Sequence, residues 1–340
     1  MTTTRRHFIA AASVSAASAG LALPSAATWA QSRPKLVVGL QTVDLRETVI
    51  ASKVLDGAPY DVEWAHLPGP AAQISGLYAK SLDIGLSGST SLIFEQSKTD
   101  KWDEKNPPLQ IVAAWENPDP KFPPIVTAVR KGAGITSLKD LKGKRWGYNY
   151  GGYNYGQYIA TLVKAGLSEK EIQASRFVDA FASGTAFNRG QLDVWSGNPP
   201  AIQDSLRSGD AQILVDNRTL EVPGLTIFIA RQEVLADAGK SAALSDFLAR
   251  VRQHWVWYGK NIPQVEDIYV KKLQQTPERA QFSARHNYAQ FASIDADLQR
   301  KLQKLADLFH EFAAIPRKIE VGSELSAKYN LATVGARSPA

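Results

Sequence analysis

The residues best suited to binding chemistry form a short segment with two glycines and several tyrosines, residues 148–156. Gly151 and Gly152 permit a tight turn and a close approach of the backbone to a ligand. The pattern predicts a strand before the turn and a helix after it, and the free N–H groups of a helix start bind anions without a charged side chain. An ordinary strand-to-helix turn is the alternative. Tyrosines such as Tyr150 and Tyr153 favour the binding interpretation, and we expect at least one of them to line a ligand cleft.

Two further polar segments follow predicted strands. Ser89 and Thr90 stand between a strand and a helix, where their hydroxyls would cap the helix, contact a ligand or do both. Gln41 and Thr42 follow the first predicted strand, and the Gln41 amide offers donors and an acceptor. A solvated loop is the alternative for this pair.

The residue types that common enzymatic mechanisms need are sparse. The 340 residues include five His and no Cys, no His pair has the spacing of metal ligands, and no nucleophile elbow or phosphate loop occurs. His254 stands beside Trp255 and Trp257 on a predicted helix, which favours packing. Asp83 and Asp193 begin predicted strands, where a cap or salt bridge is the simpler interpretation. The sequence therefore predicts no enzyme, no metal site and no cofactor.

Short β-rich runs alternate with helical segments, an order typical of open sheets with helices on both faces. We expect these sheets to be dominated by parallel strands. The predicted strands are residues 35–40, 61–64, 82–85, 109–114, 125–129, 145–148, 192–195, 212–215 and 226–230. The predicted helices are residues 71–80, 154–165, 201–208, 244–258 and 296–314, with another that begins at Ser89 or Thr90.

Two halves of the chain share a short pattern, which predicts two lobes. Residues 82–88 and 192–198 each begin with Leu, Asp and an aliphatic residue and continue into a turn with Ser and Gly. Crossings near Ile125 and Thr226 would join the lobes. A chain of this length is too large for one compact core, and a ligand would lie in the cleft, around which the lobes close by a hinge motion.

The first 30 residues have the features of a twin-arginine export signal. Arg5 and Arg6 precede a modest apolar stretch, residues 8–23, and small residues lead to a cleavage site near Ala30. A membrane anchor is less favoured, because a spanning helix needs about 20 strongly apolar residues. Without Arg5 and Arg6 the 39 basic residues become 37 against 33 acidic ones, with no basic run that would indicate nucleic acid. We expect an exported, soluble periplasmic protein without stable membrane insertion.

Several segments in order resemble the substrate-binding proteins of ABC importers, in the aliphatic-sulfonate, taurine and nitrate group. They are residues 82–90, 138–145 followed by Gly151 and Gly152, 186–195, and 306–309 with 315–319. The resemblance implies an α/β, two-lobed type II periplasmic-binding-protein fold, each lobe a mixed sheet flanked by helices, with the ligand cleft between them. The implied division is a signal at 1–30, lobe 1 at 34–125, lobe 2 at 126–222, and a return to lobe 1 with C-terminal helices at 223–335.

The resemblance also implies a receptor that captures a small anionic organic solute and delivers it to an ABC permease. Carried over by position, the ligand-binding residues are Gln41, Ser89, Thr90, Gly151, Gly152 and Tyr153. Thr42, Trp115, Tyr150 and Asn198 complete the predicted set. The family often has Gly-Ser-Ser where this chain has residues 151–153, and Trp-Asp-Pro near residues 197–200. These departures favour a larger or partly aromatic ligand. An enzyme related to pyrimidine synthesis and a sensor partner of a membrane receptor are the alternatives.

Overall fold

Two mixed β-sheets, each flanked by helices, form the framework of the protein. The computed structural model describes residues 33–99 and 102–335, so the predicted export signal lies outside the described residues. The first sheet has six strands and the second has five. The prediction of mixed sheets is confirmed.

The first sheet takes its strands from two separate parts of the chain, in the order β11-β4-β10-β3-β1-β2. Its strands are β1 (Lys35–Leu40), β2 (Asp61–His66), β3 (Ile84–Gly88), β4 (Leu109–Glu116), β10 (Thr226–Arg231) and β11 (Gln290–Ala292). The strands β1, β2 and β3 run parallel to one another, whereas β10 is antiparallel to both of its neighbours, β3 and β4.

The second sheet is built from the middle of the chain, in the order β7-β6-β8-β5-β9. Its strands are β5 (Val126–Arg130), β6 (Arg145–Asn149), β7 (Gln173–Phe177), β8 (Val194–Gly197) and β9 (Ala211–Asp216). β6 pairs in parallel with β7 and β8, and β5 is antiparallel to β8 and β9. The expectation of parallel-dominated sheets is therefore wrong. In each sheet a crossing strand, β10 or β5, enters the interior in the antiparallel direction.

Twelve α-helices of the described residues cover the two sheets. They are α1 (Asp44–Ser52), α2 (Pro70–Tyr78), α3 (Ser91–Lys98), α4 (Tyr153–Ala165), α5 (Ala180–Asn188), α6 (Gln203–Ser208), α7 (Gln232–Ala236), α8 (Ala238–Lys260), α9 (Ile262–Leu273), α10 (Pro277–Asn287), α11 (Ala296–Glu311) and α12 (Asn330–Val334). Within the described ranges, no helix is both long enough and apolar enough to cross a membrane.

The predicted elements agree with the observed ones in type and, within a few residues, in position. The helices α1 and α5 have no counterpart among the predicted helices, and the longest strand that was missed is β7, whose residues are mostly exposed and polar. Because β7 lies at an edge of its sheet, no alternation of apolar residues marks it. β11 is only three residues long and also escapes prediction.

One aspartate in each sheet joins neighbouring strands and also forms a salt bridge, as the salt-bridge interpretation predicts: Asp83 in the first sheet and Asp193 in the second. In the first sheet the Val37 N–H donates to Asp83 Oδ2 at 3.0 Å, and the Asp83 N–H donates to the Val37 carbonyl at 2.9 Å. In the second sheet Arg145 and Asp193 repeat both bonds, at 3.0 and 2.9 Å. The shared sequence pattern thus corresponds to the same strand-joining contact in both halves.

Two crossing segments connect the sheets, residues 117–125 and 217–225. The Asn217 N–H donates to the Ile125 carbonyl at 3.1 Å, which holds the segments side by side. Arg218 reaches across as well, because its guanidinium donates to the carbonyls of Pro120 and Asn117 at 3.1 and 3.2 Å. The segments therefore run together rather than as two independent linkers.

His254 is a packing residue, as predicted. Its side chain is fully buried beside the indole of Trp255, with ring centroids 4.9 Å apart. Burial lowers its pKa to about 3, so the imidazole is neutral at physiological pH. Its ring nitrogens lie 3.4 Å from Thr48 Oγ1 and 3.3 Å from Ser52 Oγ.

Glu324 gives the fold a pH-dependent stability. Its side chain is fully buried, and neither carboxylate oxygen has a hydrogen-bond partner in the part of the chain that the structure describes. Burial raises its pKa well above the usual range. Below about pH 4 the Glu324 carboxyl group is protonated in both the folded and the unfolded state, so the fold has no charge to bury. As the pH rises toward the folded-state pKa, the unfolded state loses this proton first, and the free energy of unfolding falls.

We expect Glu324→Gln to raise the free energy of unfolding by at least about 1 kcal/mol at pH 8, since each unit of pKa shift corresponds to about 1.4 kcal/mol. The gain should shrink toward zero at pH 4, where glutamic acid is itself uncharged. Thermal unfolding of both proteins at pH 4, 6 and 8 checks this. A difference that stays constant with pH would contradict the assignment.

Candidate functional site

A cavity of about 230 Å³ lies between the two sheets, where strand ends and helix starts of both meet. The first sheet contributes residues at or just after the ends of β1, β3 and β4, such as Gln41, Gly88 and Glu116. The second sheet contributes residues at or just after the ends of β6 and β8, such as Asn149 and Asn198. The two crossing segments close the cavity on one side, through residues such as Pro124 and Gly224.

Three helices begin at the cavity without a side-chain cap. The N-cap residues of α1, α2 and α4 are Val43, Gly69 and Gly152, and none of them makes a side-chain hydrogen bond to its helix. First-turn residues of all three helices line the cavity. Free N–H groups and the positive ends of helix dipoles at these starts favour the binding of an anion. The site can therefore hold an anion without a charged side chain.

Tyr153 is the residue that joins the two halves at the cavity. Its hydroxyl accepts a hydrogen bond from Asn198 Nδ2 at 2.6 Å and is also bonded to the Thr226 hydroxyl. Asn198 Nδ2 donates in addition to the Pro124 carbonyl at 2.9 Å. Burial raises the pKa of Tyr153, so its hydroxyl stays protonated and remains a donor as well as an acceptor.

Two glycines lie at close contacts between the halves. A methyl group added to Gly88 would lie 2.3 Å from Tyr153 Cδ1, and one added to Gly69 would lie 2.6 Å from the Val178 carbonyl oxygen. Real Cβ atoms are not found at such distances from backbone or aromatic atoms. The structure is therefore a closed arrangement that depends on the absence of side chains at Gly69 and Gly88.

Six of the ten predicted site residues line the cavity. They are Gln41, Thr42, Trp115, Gly152, Tyr153 and Asn198. The Gln41 side chain is held in place, because its Nε2 donates to the Leu86 carbonyl at 3.0 Å. The indole of Trp115 packs against the rings of Phe228 and Trp255, with centroids 4.8 and 6.4 Å apart.

Ser89 and Thr90 are not among the residues that line the cavity. The Ser89 hydroxyl donates to the Pro223 carbonyl at 2.5 Å, and its N–H donates to the Leu225 carbonyl at 2.9 Å. Both contacts hold the second crossing segment. Thr90 is fully buried, and its methyl group packs close to Gly156 of α4. These residues join the halves of the protein and do not face the cavity.

Tyr150 and Gly151 also lie outside the lining. The Tyr150 ring is covered by two cations, Lys98 Nζ at 4.6 Å and the Arg176 guanidinium at 4.5 Å. Gly151 has a φ of +89°, so it supplies the turn geometry and not a contact. Most of the neighbouring tyrosines form a stack, for example Tyr148 on Tyr158 with centroids 4.2 Å apart. Of the tyrosines in this segment, Tyr153 is the one that lines the cavity.

Several residues that line the cavity were not predicted. They include three carboxylates and four aromatic side chains: Asp44, Glu116, Asp179, Phe181, Trp255, His286 and Tyr288. Asp179 and Phe181 follow β7, which the sequence did not reveal. Glu116 ends β4, two residues beyond the predicted strand, and its place directly after a buried strand is the signal that could have identified it.

His286 is the histidine that lines the cavity. Its Nδ1 lies 3.1 Å from the Phe282 carbonyl oxygen, and its ring stacks on the Phe282 ring with centroids 4.0 Å apart. Burial lowers its pKa to about 4, so the ring is neutral at physiological pH. No group of three His, Asp or Glu side chains within residues 33–99 and 102–335 could hold a metal ion.

Comparison with known proteins places this geometry in a family. A family model described as NMT1/THI5 like matches residues 61–250. A curated protein of Escherichia coli (strain K12), named as an aliphatic sulfonates-binding protein, is 24% identical over 315 residues, which cover 88% of this chain and 92% of that protein.

Solved structures of similar proteins share the fold. The alkanesulfonate-binding protein SsuA from Xanthomonas axonopodis pv. citri, bound to MOPS, superposes with a TM-score of 0.73 at 20% identity and covers 87% of this chain and 99% of that one. The periplasmic aliphatic sulphonate binding protein SsuA from Escherichia coli gives a TM-score of 0.71 at 20% identity, over 87% and 92% of the two chains. The predicted two-lobed periplasmic-binding-protein fold is confirmed, and the chain belongs to the NMT1/THI5-like family.

Proposed function

We propose that the protein is a solute-binding receptor that captures a small, sulfonate-like organic anion and delivers it to an ABC permease. The observation that carries this proposal is the meeting of three uncapped helix starts, of α1, α2 and α4, at one cavity between the sheets. An anionic oxygen group placed there would accept hydrogen bonds from free N–H groups. The names of the similar proteins from Escherichia coli and Xanthomonas support a sulfonate.

The two lobes of this receptor would be residues 34–125 with 223–335, and residues 126–222. Every strand of the first sheet comes from the first set, and every strand of the second sheet comes from the second. The crossing segments are the natural hinge, because they are the connections between the two sheets. Closure depends on a ligand that contacts both lobes better in the closed state than in the open one.

Aromatic side chains on the cavity wall favour a ligand with a flat or bulky apolar part. The indoles of Trp115 and Trp255 and the rings of Tyr288 and Phe181 all line it. Phe181 is 54% exposed, which is unusual for a large apolar side chain and suits a residue at the mouth of a cleft. Such rings would stack on an aromatic or heterocyclic ligand.

A receptor agrees with the site better than an enzyme does. The cavity histidine, His286, is neutral, with Nδ1 close to a backbone carbonyl. The pyrimidine-synthesis alternative requires reactive groups in the cleft. Apart from three carboxylates, of which Asp44 and Asp179 make structural hydrogen bonds, the side chains there are mainly amides, prolines and aromatic rings. A sensor partner of a membrane receptor would use the same cleft. Export to the periplasm by a twin-arginine signal remains part of the proposal.

We expect Tyr153→Ala to weaken sulfonate binding at least tenfold, because it removes a ring and a hydroxyl that link both lobes at the cavity. Tyr150→Ala is the matched control, because Tyr150 lies in the same segment but does not line the cavity. The affinity of this variant for sulfonates should equal that of the unaltered protein. Tryptophan fluorescence titrations with aliphatic and aromatic sulfonates measure both variants. Equal losses in the two variants, or none in Tyr153→Ala, would exclude this cavity as the binding site.

A further inference from the structure

Two sets of contacts join the proposed lobes beside the cavity, and they differ in chemical character. On one flank, α4 of lobe 2 packs against α11 and the ring of Phe94 in lobe 1. We call this the apolar flank. On the other, α10 of lobe 1 packs against residues 199–208 of lobe 2, and we call this the polar flank. The difference between the two decides which contacts break when the lobes move apart.

Aromatic rings from both lobes meet on the apolar flank. The Phe94 ring lies against the Tyr155 ring of lobe 2, with centroids 4.9 Å apart, and stacks on the Phe309 ring of lobe 1 at 5.0 Å. All three side chains are buried, and they belong to a hydrophobic core with members in both lobes. Separation of the lobes here would expose these rings to water, which costs free energy in proportion to the apolar area exposed.

The backbone of α4 also lies directly on lobe 1 at this flank. A methyl group added to Gly156 would lie 3.1 Å from Thr90 Cγ2 and 3.3 Å from Phe309 Cζ. Thr90 is fully buried, so no layer of water separates the two surfaces. The apolar flank is therefore packed like the interior of a single domain.

The contacts of the polar flank are weaker. Gln203 Nε2 of lobe 2 donates to Ser283 Oγ of α10 at 3.1 Å, while Gln203 Oε1 has no hydrogen-bond partner among the described residues. Arg279 and Asp204 form an ion pair at 3.2 Å, with 38% and 51% of their side chains exposed. Exposed ion pairs contribute little to stability, and a buried acceptor without a donor opposes closure. The two surfaces of this flank can therefore separate easily.

Helix α10 itself remains attached to lobe 1. Its buried residues Ala280 and Ala284 belong to a second hydrophobic core, whose members all come from lobe 1. The Tyr258 hydroxyl of α8 donates to the Ala284 carbonyl at 2.9 Å. When the lobes separate, α10 therefore moves away from residues 199–208 as part of lobe 1.

The polar flank borders the cavity directly. His286 and Asn287, at the end of α10, line the cavity together with Pro199 and Pro200 of lobe 2. The three packed rings of the apolar flank are not among the described residues that line it. Separation of α10 from residues 199–208 thus opens the cavity wall, whereas the packed rings can stay in contact.

We propose that the cavity opens on one side, with α10 as its gate. Helix α10 separates from residues 199–208, while the rings of the apolar flank stay in contact and act as the pivot. A rotation about these rings still lifts Tyr153 from Gly88, because Tyr153 lines the cavity. The inference rests on the proposed function, since a receptor has to open for its solute, and it holds for any solute.

Distance measurements across the two flanks test the gate. The chain contains no Cys, so spin labels attach only to introduced cysteines. Ser208→Cys with Glu278→Cys places one exposed label on each side of the gate. Lys164→Cys with Glu311→Cys, also at exposed positions, does the same across the pivot. Electron paramagnetic resonance of the ligand-free protein should show a second, longer distance for the gate pair and one distance for the pivot pair.

Weakening the polar flank should increase the open fraction. Asp204→Ala combined with Ser283→Ala removes both contacts, and we expect the ratio of open to closed protein at the gate pair to rise about fivefold. The pivot pair should keep its single distance. Asp267→Ala is the matched control, because it removes an exposed ion pair with Lys271 inside lobe 1, and it should leave the ratio unchanged.

The outcomes separate this inference from the proposed function. Equal lengthening of both pairs, a single distance for the gate pair, or no response to the combined substitution would overturn the gate. Fluorescence titrations with ethanesulfonate and benzenesulfonate test the receptor in the same protein. Sulfonate binding together with any of those distance results would leave the receptor standing. A gate pair that behaves as expected in a protein that binds neither sulfonate would support the gate and contradict the sulfonate proposal.

Discussion

Gly88→Ala is expected to abolish closure of the two lobes while the protein stays folded. The new methyl group would lie 2.3 Å from Tyr153 Cδ1 and 2.6 Å from the Tyr153 backbone nitrogen. A ring can turn away, but the backbone nitrogen at the start of α4 cannot. Overpacking of this kind costs about 1–3 kcal/mol, and here it can be relieved by opening the cleft. We therefore expect ligand affinity to fall by about tenfold to a hundredfold.

Small-angle X-ray scattering measures closure directly, and a fluorescence titration measures affinity. Gly88→Ala should have the larger radius of gyration whether or not ligand is present. Gly132→Ala is the matched control, because a methyl group there meets no atom within 4 Å. A closed, tightly binding Gly88→Ala protein would show that the contact between Gly88 and Tyr153 is not part of the ligand-bound state.

Asp83→Ala is expected to produce the largest loss of stability. The Asp83 side chain is 2% exposed and receives the Arg231 guanidinium at 2.6 Å and Lys240 Nζ at 2.7 Å. Removing the Asp83 carboxylate leaves the Nη2 group of the buried Arg231 without its anionic partner. Breaking a buried pair in this way costs about 3–5 kcal/mol, which lowers the melting temperature by roughly 5–10 °C.

Asp193→Ala provides the comparison within the same molecule. Asp193 makes the equivalent strand-joining bonds in the second sheet, but its ion pair with Arg145 is more exposed, with 46% of the arginine side chain accessible. Because solvent screens such exposed ion pairs, each contributes at most about 1 kcal/mol to the free energy of unfolding. Differential scanning calorimetry of both variants should therefore show a clearly smaller effect for Asp193→Ala. Equal losses would mean that burial does not set the strength of these contacts.

The sequence predicted the fold well because its signals are local. Runs such as β1 and β10 are apolar and bounded by turn residues, and the pattern that starts at Leu82 and Leu192 marks the same strand-joining contact in both sheets. The direction of β5 and β10 was not predictable in this way. It depends on how the chain crosses between the sheets, and no local pattern encodes that.

The site was predicted only in part because side-chain direction depends on distant contacts. Tyr150 and Tyr153 stand three residues apart in one segment, yet one ring is covered by Lys98 and Arg176 and the other lines the cavity. The Ser89 hydroxyl suits a ligand equally well, but the carbonyl of Pro223, far along the chain, takes its hydrogen bond. The sequence shows that a donor is present, and the tertiary structure decides which acceptor it meets.

Native mass spectrometry of the protein isolated from its own cells would show whether it carries a ligand and what that ligand is. We expect the protein to carry one small molecule per chain, released on gentle activation, whose mass and fragments show an acidic sulfur group. Gly88→Ala, isolated in the same way, should carry much less of it. A protein that carries no small molecule, or carries one equally well in Gly88→Ala, would contradict a receptor that closes around its ligand at this cavity.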